Sequence, residues 1–152
     1  MRIRDAEPGD LDEILALVRE LAEYEREPDA VVFDTDEFRD HLFGADAVAR
    51  ALIAEADDGA IAGFALYFRT FSTWLGRSGI WLEDLFVRPT HRRLGIGEAL
   101  LHELRSRTNG RVEWSVLNWN TSAQDFYRTL GAAPMDEWTT WRWPHPPSPS
   151  AH

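Results

Sequence analysis

The chain is predicted to fold as a mixed α/β sheet with helices on its faces. Three observations predict it. Strand-like and helix-like segments alternate along 152 residues, a length suited to one domain with a substantial core. Asp57-Asp58-Gly59, between two apolar runs, marks a hairpin. The stretch from Trp81 to Leu101 carries an apolar strand into a loop of arginines and glycines, and that loop opens directly into an amphipathic helix.

Each element has its own local reason. Arg2 to Asp5 reads as an opening strand. A helix follows with Asp10 as N-cap and Glu13 completing a capping box. Its apolar stripe is Leu11, Ile14, Leu15, Val18, Leu21 and Ala22, and Glu27-Pro28-Asp29 breaks it just after Tyr24 or Glu25. Thr35 is expected to cap a shorter helix, Asp36 to Phe43. Ala47 to Ala56 and Ile61 to Phe71 are the two arms of the hairpin, with Ser72 to Gly79 a loop. Trp81 to Val87 is a third long strand, stopped by Pro89. Gly97 to Arg107 is a helix with Ile96, Leu100, Leu101 and Leu104 on one face, ended by Asn109-Gly110. Arg111 to Leu117 alternates as a strand. Thr121 and Gln124 fit a capping box for the last helix, which Gly131 closes. Trp138 to Trp143 reads as a final strand, its Trp138, Trp141 and Trp143 packing that strand or a dimer seam. The domain is expected to span residues 1–143, and the proline-rich tail 144–152 to be disordered.

Composition narrows the chemistry. There is no cysteine, which excludes disulfides, thiolate metal sites and a cysteine nucleophile. The net charge of −10 argues against nucleic acid or an anionic membrane as partner and suits a cationic ligand better. Nothing resembles a signal peptide or a membrane span, so the expected location is the cytoplasm. The five histidines show no metal-ligand spacing, and no metal is expected. There is neither a Gly-x-Ser-x-Gly elbow nor a Walker lysine.

The loop Arg92-Arg93-Leu94-Gly95-Ile96-Gly97 carries the sharpest signal. A helix start holds free backbone N–H groups and the positive end of the helix dipole. Gly95 and Gly97 put no side chain in front of them, and Arg92 and Arg93 add charged, fork-shaped donors. Such a start binds a phosphate or pyrophosphate.

This loop, together with Leu82-Glu83-Asp84 and Asn120 through Phe126-Tyr127 in that order, resembles the GNAT N-acetyltransferase superfamily. Ile14 to Glu25, Ile61 to Val87 and Trp119 through Ala132 are similar to its diamine (spermidine/spermine and thialysine) branch. The resemblance runs from Ile3 to Arg142. It implies the GNAT acyl-CoA N-acyltransferase fold: a mostly antiparallel mixed sheet with splayed central parallel strands and helices on both faces. Here the splayed strands would be Trp81–Val87 and Arg111–Leu117. It implies transfer of an acetyl group from acetyl-CoA to a small-molecule primary amine in a ternary complex, by a homodimer that often exchanges C-terminal strands.

The roles it implies are residue-specific. Glu83 would take the amine proton through a water, and Tyr127 would protonate the departing thiolate as general acid. The backbone at Leu85, Phe86 and Val87 would bind the thioester carbonyl and the pantetheine. Arg92, Arg93, Leu94, Gly95, Ile96, Gly97 and Glu98 would cradle the pyrophosphate, the Glu98 side chain turning to solvent. Asn120, Thr121, Ser122 and Ala123 match a further cofactor segment. Tyr24, Glu25, Glu113 and Trp114 match amine-binding positions, where acid and aromatic groups suit a cation. Strand alternation points Asp84 away from Glu83, and substrate contact there stands beside a salt bridge or loop brace. Where the diamine branch has an acid before the last strand, ungapped counting reaches Thr139, with Glu137 two residues back, so amine length is left open. Two other readings stand beside a diamine acceptor: a different amine (amino acid, antibiotic or peptide N-terminus), and a non-catalytic acyl-CoA-binding regulator.

Overall fold

The computed structural model describes residues 1–147; Ser148–His152 of the tail lie outside the described residues. Two compact units are present, Met1–Ser115 and a second that begins at Val116. The first contains β1 (Arg2–Asp5), α1 (Leu11–Tyr24), α2 (Thr35–Phe43), β2 (Arg50–Glu55), β3 (Ile61–Ser72), β4 (Arg77–Val87), α3 (Ile96–Ser106) and β5 (Val112–Glu113). Its five strands lie in sequence order. Pairs from β1 to β4 are antiparallel, and β4–β5 is parallel. The second unit carries α4 (Thr121–Thr129). The mixed, mostly antiparallel sheet matches the fold class predicted above.

Burial follows the period of each element. Leu11, Ile14, Leu15, Leu17 and Leu21 of α1 pack with Leu42 of α2 against Ile53, Phe64, Leu66 and Phe86 of the sheet. Leu17 joins the expected stripe, whereas Val18 and Ala22 are only half-buried. The α3 residues Ile96, Leu100, Leu101 and Leu104 are buried, and α3 lies against β1, β2, β3 and β4. Each such fully buried side chain contributes about 1.5–3 kcal/mol, so these stripes hold the helices in place.

Local chemistry departs from the sequence reading at several ends. The Asp10 carboxylate does not cap α1. Arg4 binds it through two nitrogens, at 2.7 and 2.8 Å, and it accepts the Glu7 N–H at 2.7 Å. That guanidinium holds the Asp10 carboxyl below its ordinary range. Asp34, not Thr35, caps α2 by accepting the Glu37 N–H at 3.0 Å. The expected loop before Trp81 is instead a tight turn. Gly76 donates to the Ser72 carbonyl at 2.8 Å, and pairing begins at Ser72 with Arg77. The expected final strand Trp138–Trp143 forms no strand, and among the described residues of this unit no other strand offers an edge for it to pair with. Trp138, Trp141 and Trp143 are 65, 91 and 97 % exposed.

One glycine is fixed by a close approach. A Cβ on Gly110 would collide with the Ser78 carbonyl and lie 3.0 Å from the Gly79 Cα, both of β4. The Gly110→Ala variant is therefore expected to lose about 2 kcal/mol or more of stability. A urea unfolding curve checks this, and an unchanged midpoint would refute the close approach.

Candidate functional site

The site grows from an irregularity in β4. Tyr67 pairs with Leu82, and Leu66 pairs with Asp84, so Glu83 is one residue too many. Such a bulge breaks the strict alternation of a strand. Leu66, Phe64 and Phe86 belong to the core beneath α1, and Asp84, opposite Leu66, takes that face too. Trp81 sits opposite Phe68 on the same face, and its indole Nε1 donates to Glu83 Oε2 at 3.0 Å. Simple alternation would have parted Glu83 from Asp84; the bulge puts both on the side where α1 ends.

There α1 delivers Glu25. Three carboxylates thus act on one another. Lost water raises the Asp84 carboxyl first, and the charges of Glu83 and Glu25 raise it further, to about 7. Glu25 is raised as well, by burial and then by Glu83. Tyr24 lies beside this group, its ring 6.5 Å from that of Phe86. The Arg92 guanidinium lies over both rings, 5.3 Å from Tyr24 and 5.5 Å from Phe86. Its Nε donates to the Val87 carbonyl at 3.0 Å, so Arg92 ties the loop after β4 to the end of α1.

The bulge also reverses which backbone groups face outward. Ile80, before it, donates its N–H to Arg111 beside β5, whereas Arg88, after it, donates to Ala62 of β3, both at 2.8 Å. Alternation from Arg88 then turns the Leu85 and Val87 N–H groups away from β3 and the Phe86 N–H toward it. Pairing of β4 with β5 stops at Trp81 and Glu113, so beyond that point, among the described residues, the outward side of β4 carries no ladder. Glu113 faces the start of this gap, and Trp114 follows it half-buried.

The loop itself fits an anionic diphosphate. Arg93 and Gly95 adopt positive φ, 66° and 78°, which reverses the chain just before α3. Asp34 and Asn120 cap α2 and α4 with a side chain, but the N-cap of α3 is Gly95, which supplies none. A Cβ on Gly97 would meet only the Val87 Cγ2, at 3.8 Å. The helix start is thus open, with its N–H groups and dipole presented to a ligand. Leu94 is exposed and Ile96 buried, and Glu98 turns along the helix to His102, 3.3 Å away.

In the second unit Asn120 accepts the Ala123 N–H at 3.2 Å, so Asn120 rather than Thr121 caps α4. Gln124 is drawn instead to the carbonyls of Leu117 and Asn118, both at 3.1 Å. Thr121 and Ser122 are exposed on the first turn. Tyr127 is half-buried with its ring 5.6 Å from Phe126. The structure therefore gathers Tyr24, Glu25, Glu83, Asp84 and Arg92, and holds Asn120 to Ala123 and Tyr127 on a separate helix. The positive φ of Arg26 (64°), which ends α1 next to Glu25, was not foreseen. Pro28, two residues later, was its only local signal.

Comparison with known proteins follows this geometry. The model of the acetyltransferase (GNAT) family matches residues 14–132. Thialysine N-epsilon-acetyltransferase of Sus scrofa is 35 % identical over 150 residues, covering 91 % of this chain and 88 % of that protein. Spermidine/spermine N(1)-acetyltransferase-like protein 1 of Homo sapiens is 32 % identical over 92 % of this chain and 21 % of its own length. The crystal structure of a probable acetyltransferase shares the fold, with a TM-score of 0.78 and 22 % identity over 97 % of this chain and all of that one.

Proposed function

Because the chain belongs to the GNAT family, and so transfers acetyl from acetyl-CoA to an amine, we propose that its acceptor is a small primary amine bearing a second cationic group. A diamine, a polyamine or a thialysine-like compound has that character. One observation carries the reading: the bulge sets the exposed Glu83 on the face of Asp84, and its charge acts on both Asp84 and Glu25, which have themselves lost water. Asp84 and Glu25, short of water and facing the Glu83 charge, favour a cation. Tyr24 beside them adds an aromatic face. The names of the relatives point to the same class of amine.

Acetyl-CoA supplies the acetyl group and a thiolate that leaves. The rest belongs to the chain's own groups. An alkyl ammonium of pKa ~10.4 is only about 0.04 % neutral at pH 7, so a proton must be removed first. Glu83 takes it through a water, and Asp84, which ionises near pH 7, shares the proton. The outward N–H groups of Leu85 and Val87 hold the carbonyl oxygen and the pantetheine amides. The start of α3, with Arg92 and Arg93, holds the pyrophosphate, and Asn120 to Ala123 support the cofactor. The Tyr127 hydroxyl gives the proton that the departing sulfur takes. Two copies form the working molecule, with the exposed Trp138, Trp141 and Trp143 at their seam. Sedimentation at micromolar concentration tests that point.

The deciding experiment measures thiol release from acetyl-CoA with spermidine, thialysine, an aminoglycoside and a peptide N-terminus. Release with the small polyamines or thialysine supports the reading; release with peptides alone refutes it. Cofactor binding without release with any amine would make the protein an acyl-CoA-responsive regulator. Electrostatic capture also predicts that kcat/KM for spermidine falls several-fold between low and physiological salt. A flat response would remove the acidic group from substrate capture.

A further inference from the structure

At the far end of α3 from the phosphate loop lies a cavity of about 780 Å³ with a lining of the opposite character. Four arginines line it, Arg50, Arg69, Arg77 and Arg107, and no aspartate or glutamate does. This occurs in a chain with 26 acidic residues and a net charge of −10. Several of its other arginines are held by carboxylates: Arg4 by Asp10 and Glu55, Arg88 by Glu13 and Glu20. Arg107 is held in the same way, by Asp5 and Glu103. Among the described residues, no carboxylate pairs with Arg50, Arg69 or Arg77. The charges of Arg50 and Arg69 on one face of the sheet, with Arg77 at the end of the neighbouring strand, repel each other, and an anion between them removes that repulsion.

The cavity is built from rigid parts. Arg50 of β2 lies opposite Tyr67 of β3, and Arg69 follows Tyr67 on the same face. The Tyr67 hydroxyl accepts from Arg107 at 3.2 Å, and Arg69 donates to the Ser78 hydroxyl at 3.2 Å. The turn after α3 is pinned to β4: the Thr108 hydroxyl donates to the Ser78 carbonyl at 2.9 Å and accepts the Gly110 N–H at 3.0 Å. Gly79 and Gly110 allow this approach, since a Cβ on either would collide with the facing backbone. Strands and a fastened turn therefore present the donors, which limits the ordering a ligand must impose.

We propose that this cavity is a second ligand site, for a small organic polyanion bearing phosphate or carboxylate groups. Guanidinium forks match both groups bidentately, and the volume lies in the range of small-molecule pockets. The site is separate from the acetyl donor's. The eleven residues of α3 put about 16 Å between its open start and this end. The overall acidity of the chain makes a long nucleic-acid strand a poor occupant, because its flanks would meet repulsion.

The test is calorimetry on the full chain, saturated with CoA so that the phosphate loop is filled. Citrate and inorganic phosphate serve as the carboxylate and phosphate probes, with Arg69→Gln/Arg77→Gln and the single variant Arg50→Gln beside the parent chain. Binding of either probe at millimolar concentration or below, weakened at least tenfold in the double variant at unchanged Tm, supports the site. The stronger probe identifies the ligand's charged group. Binding that survives both sets of substitutions, or that vanishes once CoA is present, overturns it. So does a response to RNA or heparin without one to either small anion. If a variant shifts Tm, Arg77→Lys decides: it keeps the charge and loses the fork, and must still weaken binding.

Discussion

Replacing Tyr127 by phenylalanine is expected to lower kcat about 100-fold while CoA affinity stays within a factor of about two. The substitution removes one oxygen from a half-buried ring that packs beside Phe126 and keeps the ring itself. In the proposed mechanism, what is lost is a proton donor. A phenol with an ordinary pKa of ~10 lies close enough to a thiol's ~8.5 to donate without a large mismatch. Without it the sulfur must leave as a bare thiolate or draw its proton from water. The loss should shrink with an acyl donor whose thiol is more acidic, because such a sulfur leaves without help. An unchanged kcat would remove Tyr127 from the mechanism; a parallel loss of CoA affinity would reassign it to binding.

Much of this site was legible in the sequence, and the parts that were not share a cause. The loop from Arg92 to Gly97 could be read because its chemistry is local: Gly95 occupies a positive φ and leaves a helix start bare. The stripe of α1 could be read for the same reason. The bulge at Glu83 could not, because it is a mismatch in register between β3 and β4, which no single segment records. Its consequence is large. Asp84, expected to point away from Glu83, joins it and Glu25 instead. Asp10 stands at the N-cap position of α1, as its sequence predicts, but its carboxylate closes the preceding turn and binds Arg4, which reaches it from β1. The alternation in Trp138–Trp143 is real, yet a strand requires an edge to pair with, and alternation does not supply one. Arg50, Arg69 and Arg77 come from three strands and form no motif in sequence.

The Asp84→Asn variant is expected to be more stable than the parent chain at pH 8 and no more stable at pH 4. The Asp84 carboxyl is raised from 3.8 to about 7 in the folded protein, chiefly because it has lost water and then because Glu83 and Glu25 face it. Below pH 4 the group is protonated whether the chain is folded or not, and it carries no penalty. Between pH 4 and 7 the unfolded chain releases this proton while the folded chain keeps it, so stability declines as pH rises. Above 7 the buried charge is present, at a cost of at most about 4 kcal/mol. Asparagine has the same shape and never bears that charge, so thermal unfolding at the two pH values isolates the effect. Equal gains at both would mean that packing, not charge, distinguishes the variant. The same charge is what the proposed reaction uses. With a cationic amine, kcat/KM of the parent chain should rise through pH 7 as Asp84 ionises, and Asp84→Asn should lose at least about tenfold above it. A bound ammonium replaces the missing water and lowers the carboxyl's pKa. Spermidine should therefore raise the Tm of the parent chain more at pH 8 than at pH 5, and hardly raise that of the variant. Instability at Asp84 is in this sense the reverse side of affinity: the carboxylate is held where only a cation relieves it.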